Sequence, residues 1–284
     1  MSDENTRELQ LRGGQIQVDE FPPFNSITKL QHTPGVTMTL FPSTRTDYLD
    51  LNEQYPPLAD RHVRRAISYA IDRAAIVKSV LFGFGKPANS FLPPQVPFYD
   101  PNAGGLQFDM AKAKAELAKS KFPKGFTVTM LVGAGAQVEN AIGQILQQQL
   151  QNLGITVKFK QEDTSTEFND VSNRKYQLAL SYWTMDIADP DELVTFSVDP
   201  AGGAYSFYTS YKNPTVIALS HKAQREPSPA KRAVLYSKLQ RIAAQDAFLG
   251  FLYYSPYRWA YSTKLHGFFV QPLGNYHLED AWLG

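Results

Sequence analysis

Residues 176–192 read YQLALSYWTMDIADPDE. In the first half, leucine and tyrosine alternate with smaller or polar residues, the two-residue period of a partly buried strand. The strand must end before Pro190, because proline lacks the N–H group that a sheet ladder needs. Asp186 is therefore predicted to lie in a loop just past the end of a strand.

Two large aromatic side chains, Tyr182 and Trp183, precede Asp186 in this stretch. Such rings favour half-buried positions and form good walls for a ligand site, and a carboxylate among them suits an ammonium group. The structural alternative is that loop aspartates hold turns or cap helices, and we expect Asp189 and Asp191 to do that. For Asp186, spacing alone leaves both interpretations open.

The composition is that of a globular protein. The 284-residue chain is 43% hydrophobic and 19% charged, with a mean hydropathy of −0.32, which excludes a disordered chain. The net charge of +1 gives no overall field that would favour nucleic acid or an anionic membrane. No apolar run reaches membrane-spanning length, and the first residues do not resemble a signal peptide.

Patterns that carry catalysis or bind metals are absent from the sequence. There is no cysteine, and the histidines show neither i, i+4 pairing nor an HExxH motif, so we expect no metal site and no cofactor. A GxSxG elbow and a P-loop are also missing. Two carboxylates brought together by folding could still do acid–base chemistry. A binding protein that is not an enzyme is nevertheless the better prediction.

The chain between residues 53 and 160 predicts helices and a parallel sheet. Asp60 and Asp72 are expected N-caps of two consecutive amphipathic helices, with the basic run 61–65 on their solvated face. A strand at 126–132, a glycine loop, a helix at 139–153 and a strand at 155–160 predict a βαβ unit. The glycine loop resembles a dinucleotide fingerprint, but Val138 replaces its third glycine, so a nucleotide-binding enzyme is only a rival function.

Other segments predict loops, one more helix and further strands. The proline-rich loop 90–101, which contains Phe91, can line a cleft. The tyrosine-rich loop after residue 202, which contains Tyr205, fits a structural role and a ligand-binding role equally well. A helix is expected at 230–244 and strands at 248–254 and 257–262. No structural element of its own is expected for residues 2–7.

Three motifs resemble one family. Residues 57–73 read PLADRHVRRAISYAIDR, residues 182–191 read YWTMDIADPD, similar to a W-x-x-D-x-x-D-P loop, and residues 267–274 form a closing strand and turn. Together they resemble the extracytoplasmic solute-binding proteins of peptide-type ABC transporters, a family that includes oligopeptide, dipeptide and nickel binders. The resemblance covers nearly the whole chain.

The resemblance implies an α/β fold: a periplasmic-binding-protein-like lobe with a mixed sheet flanked by helices, plus strands from the other lobe, which is truncated. Family members are longer, which implies that this chain is a C-terminal portion without its signal sequence. The expected divisions are 1–52 as a remnant of the first lobe, 53–258 as the second lobe and 259–284 as a return to the first. The whole protein is expected to be a periplasmic protein or a cell-surface lipoprotein, and a monomer that delivers its solute to a membrane permease.

The resemblance also implies a role for Asp186, which pairs with the free α-amino group of a bound peptide. The expected ligand-binding residues are Asp186, Trp183, Tyr182, Met185, Phe91 and Tyr205. Loop 132–137 has no cation, whereas dipeptide-type members place an arginine there for the ligand carboxylate. A longer peptide or another amine-bearing solute therefore fits better than a strict dipeptide. A metal chelate or a sugar is the alternative solute class, because the fold does not choose between them.

Overall fold

The computed structural model describes residues 4–284. The helices are α1 (Glu4–Arg12), α2 (Ile27–Gln31), α3 (Pro56–Ala59), α4 (Arg61–Ala70), α5 (Arg73–Ser79), α6 (Met110–Lys119), α7 (Gln137–Gln151), α8 (Thr164–Ser172), α9 (Asp191–Val198), α10 (Pro214–Arg225) and α11 (Pro229–Asp246). The strands are β1 (Val18–Glu20), β2 (Val36–Phe41), β3 (Thr46–Leu51), β4 (Lys86–Pro87), β5 (Thr127–Gly133), β6 (Thr156–Glu162), β7 (Leu178–Trp183), β8 (Leu249–Tyr254), β9 (Tyr257–Ser262), β10 (Leu265–His266), β11 (Phe269–Val270), β12 (Tyr276–His277) and β13 (Trp282–Leu283).

A mixed six-stranded sheet forms the centre of the molecule, in the order β4-β8-β3-β7-β5-β6. Strand β5 runs parallel to β6 and β7, and the other neighbours are antiparallel. Helix α7 connects β5 to β6, so the predicted βαβ unit is confirmed. The α/β fold with a mixed sheet flanked by helices is confirmed as well.

The central strand β3 shows how the sheet divides the core. All six of its residues are buried, as expected of a strand covered on both faces. Because side chains alternate, Leu49 and Leu51 join the cluster under α4 and α7, whereas Tyr48 points to the opposite cluster, with Phe207 and Phe248. The cavity described below is lined in part by Phe207 from the cluster of Tyr48.

The expected division at residue 52 falls directly after β3. It assigns β3 to the first lobe, but β3 is hydrogen-bonded between β7 and β8 at the centre of the large sheet. The sequence break used for the division, at Tyr55 and the two prolines after it, comes after this strand has ended. At the other end, β9 begins at Tyr257 and pairs with β1 and β2 in a separate three-stranded sheet.

The helical motif at residues 57–73 is capped as predicted. Asp60 accepts a hydrogen bond from the His62 N–H at 2.8 Å and Asp72 accepts one from Ala75 at 2.9 Å. The predicted solvated face is wrong for Arg64, which is 4% exposed. Its guanidinium donates to the Leu58 carbonyl oxygen at 2.8 Å, because the carbonyls at the end of α3 need a donor there.

Five helices were not predicted, and two of them are the short helices α2 and α3. Helix α1 occupies a segment for which no element was expected, although residues 2 and 3 of that segment lie outside the described residues. Helices α8 and α10 also appear where the sequence pattern gave no prediction. Within residues 4–284, no helix is both long and apolar enough to cross a bilayer. The same residues contain no group of three or more acidic or histidine side chains placed to hold a metal ion.

Candidate functional site

A cavity of about 410 Å³ lies beside the end of β7, where the predicted loop begins. Its size is typical of small-ligand sites. Its aromatic lining consists of Phe168, Tyr182, Trp183, Phe207 and Tyr208. Its acidic lining consists of Glu139, Glu167 and Asp186.

Glu192 fixes the backbone of the loop that carries Asp186. Its carboxylate accepts the N–H groups of Asp186, at 3.0 Å, and Ile187, at 2.9 Å. The sequence reading assigned Glu192 only to the start of a helix, and it does lie in the first turn of α9. A glutamate in a first helical turn commonly reaches back to preceding N–H groups, and this was the signal that could have identified the contact.

Asp189 and Asp191 are structural, as expected. Asp189 accepts the N–H of Asp191 at 2.9 Å and forms a bidentate pair with Arg232, at 2.8 and 2.9 Å. The same guanidinium reaches Asp191 at 2.7 Å. The loop is therefore held to helix α11 by charge-assisted hydrogen bonds, which are among the strong ones.

Asp186 differs from its two neighbours. It is exposed and lines the cavity, and no donor among residues 4–284 hydrogen-bonds or ion-pairs with its carboxylate. Its backbone is held while its side chain is free. Within residues 4–284, the carboxylate of Asp186 therefore neither holds a turn nor caps a helix.

The aromatic walls are fixed by packing. The ring of Trp183 meets Phe207 edge-on at a centroid distance of 5.2 Å. Tyr182 is 54% exposed, and the guanidinium of Arg45 lies 3.7 Å from the centre of its ring. Arg45 is in turn held by Asp47, at 2.7 Å. Rings fixed in this way can contact a ligand with little loss of side-chain freedom.

The segment that contributes Phe207 and Tyr208 has an unusual backbone. Tyr205 to Tyr208 all have positive φ, between 34° and 62°, and none of them is a glycine. Such conformations cost free energy and cluster at functional sites. Here they bring two consecutive rings, stacked at 5.4 Å, to the cavity. A strained turn of this kind leaves no simple sequence pattern.

Three expected lining residues lie elsewhere. Met185 and Phe91 are fully buried in the core and do not line the cavity. Phe91 packs edge-on against Phe248, and its carbonyl accepts the Tyr48 hydroxyl at 2.9 Å, so its loop is part of the core. The ring of Tyr205 lies under the guanidinium of Arg174, at 4.7 Å, and is not in the cavity wall. Tyr182, Trp183 and Asp186 are in the wall.

The glycine loop after β5 faces a carboxylate. The N–H of Gly133 donates to Glu139 at 3.1 Å, and a Cβ placed on this glycine would lie 2.8 Å from a carboxylate oxygen of Glu167. Two acidic side chains at this turn repel phosphate, so the geometry disfavours the nucleotide-binding rival.

A second depression of about 280 Å³ adjoins the cavity and shares Glu139, Ser181 and Tyr182 with it. Its far wall includes Phe24 and Arg258, from the segments around the three-stranded sheet. The cavity therefore continues into a cleft between the two sheets.

Comparison with known proteins places the chain among solute-binding proteins. Residues 1–205 match the family model described as bacterial extracellular solute-binding proteins, family 5 middle. The probable D,D-dipeptide-binding periplasmic protein DdpA of Escherichia coli is 30% identical over 94% of this chain and 52% of its own length. The chain spans about half the length of the curated relatives it matches.

Solved structures agree with this placement. The periplasmic binding protein DppA of Helicobacter pylori, in complex with the peptide STSA, superposes with a TM-score of 0.88 at 26% identity, over 94% of this chain and 52% of that one. The oligopeptide-binding protein AppA of Bacillus subtilis, with a nonapeptide, gives 0.89 at 23% identity, over 100% and 59%, and supports the fold alone. The chain belongs to family 5 of the bacterial extracellular solute-binding proteins.

Proposed function

We propose that the protein is the solute receptor of an ABC importer and that it binds a short peptide through the peptide's free amino terminus. One observation carries the proposal: the carboxylate of Asp186 lines an aromatic cavity with no partner among the described residues, while the backbone beneath it is fixed by Glu192. An α-ammonium group would complete the hydrogen bonding of that carboxylate.

The physical argument is preorganisation. An ion pair at an exposed position contributes little, but closure of the cleft over Trp183 and Tyr182 would shield the pair from water and strengthen it. Because the loop is already anchored through Asp189 and Arg232, ordering it on binding costs little. The relatives named above are described as binding a D,D-dipeptide and a peptide, which supports a solute of this class.

The proposal extends to the whole protein. The protein acts outside the cytoplasm as a monomer, performs no catalysis and delivers its solute to membrane permease subunits. Two lobes close on the solute by hinge motion, and main-chain contacts give breadth of recognition. The cleft between the two sheets, between Glu139 on one side and Arg258 on the other, supports this arrangement.

The test is calorimetric titration of the purified chain with matched short peptides, one set with free amino termini and one set acetylated. Binding of the free set alone is the expected result. Equal binding of both sets would remove the role of the amino group, and binding of neither would reject a peptide as the solute.

Replacing Asp186 with asparagine is expected to weaken binding of a free-amino-terminus peptide by about 10- to 100-fold, the loss of one hydrogen bond to a charged group. The dissociation constant is measured by the same calorimetric titration. The matched control is Asp280→Asn, since Asp280 is exposed and does not line the cavity. If the two variants bind with equal affinity, Asp186 is not the amine anchor.

A further inference from the structure

The cavity has a second acidic wall besides Asp186. Glu139, from α7, and Glu167, from α8, both line it, and no lysine, arginine or histidine does so in the part of the chain that the structure describes. Three carboxyl groups without a cation in a partly enclosed space oppose one another's ionisation through charge repulsion. An anionic or neutral solute would leave that repulsion in place.

The carboxyl groups of the two glutamates both lie next to Gly133. A Cβ built on Gly133 would lie 2.8 Å from an oxygen of Glu167 and 3.2 Å from an oxygen of Glu139, so both carboxylates occupy the space that the missing side chain leaves. The second oxygen of Glu167, Oε1, is buried and lacks a hydrogen-bond partner among residues 4–284. The two side chains also share a hydrogen bond, which requires a proton on one of them, and a cationic ligand would supply donors in place of that proton.

The charges around the pair do not neutralise it. The nearby cation Arg45 is held by Asp47, with bonds of 2.7 and 3.0 Å. On the side of β6, Lys160 is engaged by Glu162, at 2.5 Å, and by Asp170, at 3.4 Å. Each neighbouring cation therefore already has its own carboxylate.

Burial and the Glu139 carboxylate beside it raise the pKa of Glu167 to about 7. Burial also raises the pKa of Glu139, which Arg45 partly opposes. The pair thus tends to hold a proton near neutral pH when the cavity contains no cation. A bound cation would favour the ionised form and release that proton.

We propose that Glu139 and Glu167 form a subsite for a second cationic group, so that the preferred solute is a short peptide with a lysine or arginine side chain close to its free amino terminus. This inference rests on the proposed function, in which Asp186 binds the amino terminus. The exposed rings of Tyr182 and Phe168 line the same cavity and suit the aliphatic stem of such a side chain.

The test compares two tripeptides of nearly equal shape, Lys-Ala-Ala and norleucine-Ala-Ala, by calorimetric titration of the purified chain. We expect the lysine peptide to bind about 10- to 100-fold more tightly, the effect of one charged hydrogen-bonded pair. The preference should disappear in the double variant Glu139→Gln and Glu167→Gln and persist in the exposed control Glu279→Gln.

A second measurement needs no variant. Titration of the wild-type chain at pH 7 in two buffers of different ionisation heat reports the protons released on binding. Release by the lysine peptide and not by the norleucine peptide is expected. Equal affinity and equal proton release for the two peptides would overturn the acidic subsite and leave the proposed function intact. Binding of neither peptide would instead reject the proposed function.

Discussion

Replacement of Arg73 by methionine is expected to lower the free energy of unfolding by about 3–5 kcal/mol, because it leaves several buried carbonyl groups without a donor. Arg73 is the last residue of the motif at 57–73 and is only 4% exposed. Burial lowers its pKa to about 10, so it stays charged at neutral pH. Methionine fills much of the same volume but donates no hydrogen bond.

The contacts of Arg73 explain why the expected effect is large. Its guanidinium donates to the carbonyl oxygen of Phe251 at 2.6 Å and to that of Leu106 at 2.9 Å. It also reaches the carbonyls of Ser68 and Ile71 at the end of α4, both at 3.2 Å. One side chain thus satisfies the end of a helix and ties it to β8 and to a long loop.

The measurement for Arg73→Met is urea unfolding at neutral pH, followed by circular dichroism. Arg61→Met is the matched control: Arg61 lies in the same motif, but its side chain is 61% exposed and its ion pair with Asp246 is long, at 3.7 Å. The control is expected to stay within about 0.5 kcal/mol of wild type. Similar losses in both variants would show that the carbonyl contacts of Arg73 contribute little.

Elements that depend on local chemistry could be predicted from the sequence. The caps Asp60 and Asp72, the βαβ unit and the strand that delivers Asp186 all follow from spacing, because each is decided within a few residues. The boundary at residue 52 depends instead on contacts between distant parts of the chain. Proline punctuation marks where a strand ends, but only hydrogen bonding across the sheet shows which sheet the strand joins.

The candidate site was predictable only in part. Tyr182, Trp183 and Asp186 lie within a few residues of one another, and all three line the cavity. The lining glutamates come from two different helices, and no local pattern brings them together. For Phe91 and Met185, an apolar side chain in a loop gives no indication whether it faces a cleft or the core. The structure buries both of them.

A last prediction concerns the buried carboxyl of Asp50, on the same face of β3 as Tyr48. Asp50 is 0% exposed, and neither of its oxygens has a well-formed hydrogen bond within residues 4–284. Burial raises its pKa from the ordinary value of 3.8 to about 7, although the nearby Ser181 hydroxyl opposes this. Between pH 3.8 and about pH 7, Asp50 keeps its proton in the folded state and loses it in the unfolded chain.

Asp50 should therefore destabilise the fold progressively as the pH rises. Below pH 4 both states are protonated and the cost vanishes, whereas above pH 7 the folded chain must hold a buried charge. Asparagine cannot ionise, so the stability of Asp50→Asn relative to wild type should rise by about 2–3 kcal/mol when the pH is raised from 5 to 8. Any cost of the asparagine amide itself is the same at both pH values and does not affect this rise.

Urea unfolding of both proteins at pH 5 and at pH 8 measures this rise. The comparison cancels the contributions of Glu53 and Glu167, whose pKa values are also raised to about 7. Equal pH dependence in the two proteins would mean that Asp50 ionises in the folded state without penalty, which would require water or a rearranged donor beside it.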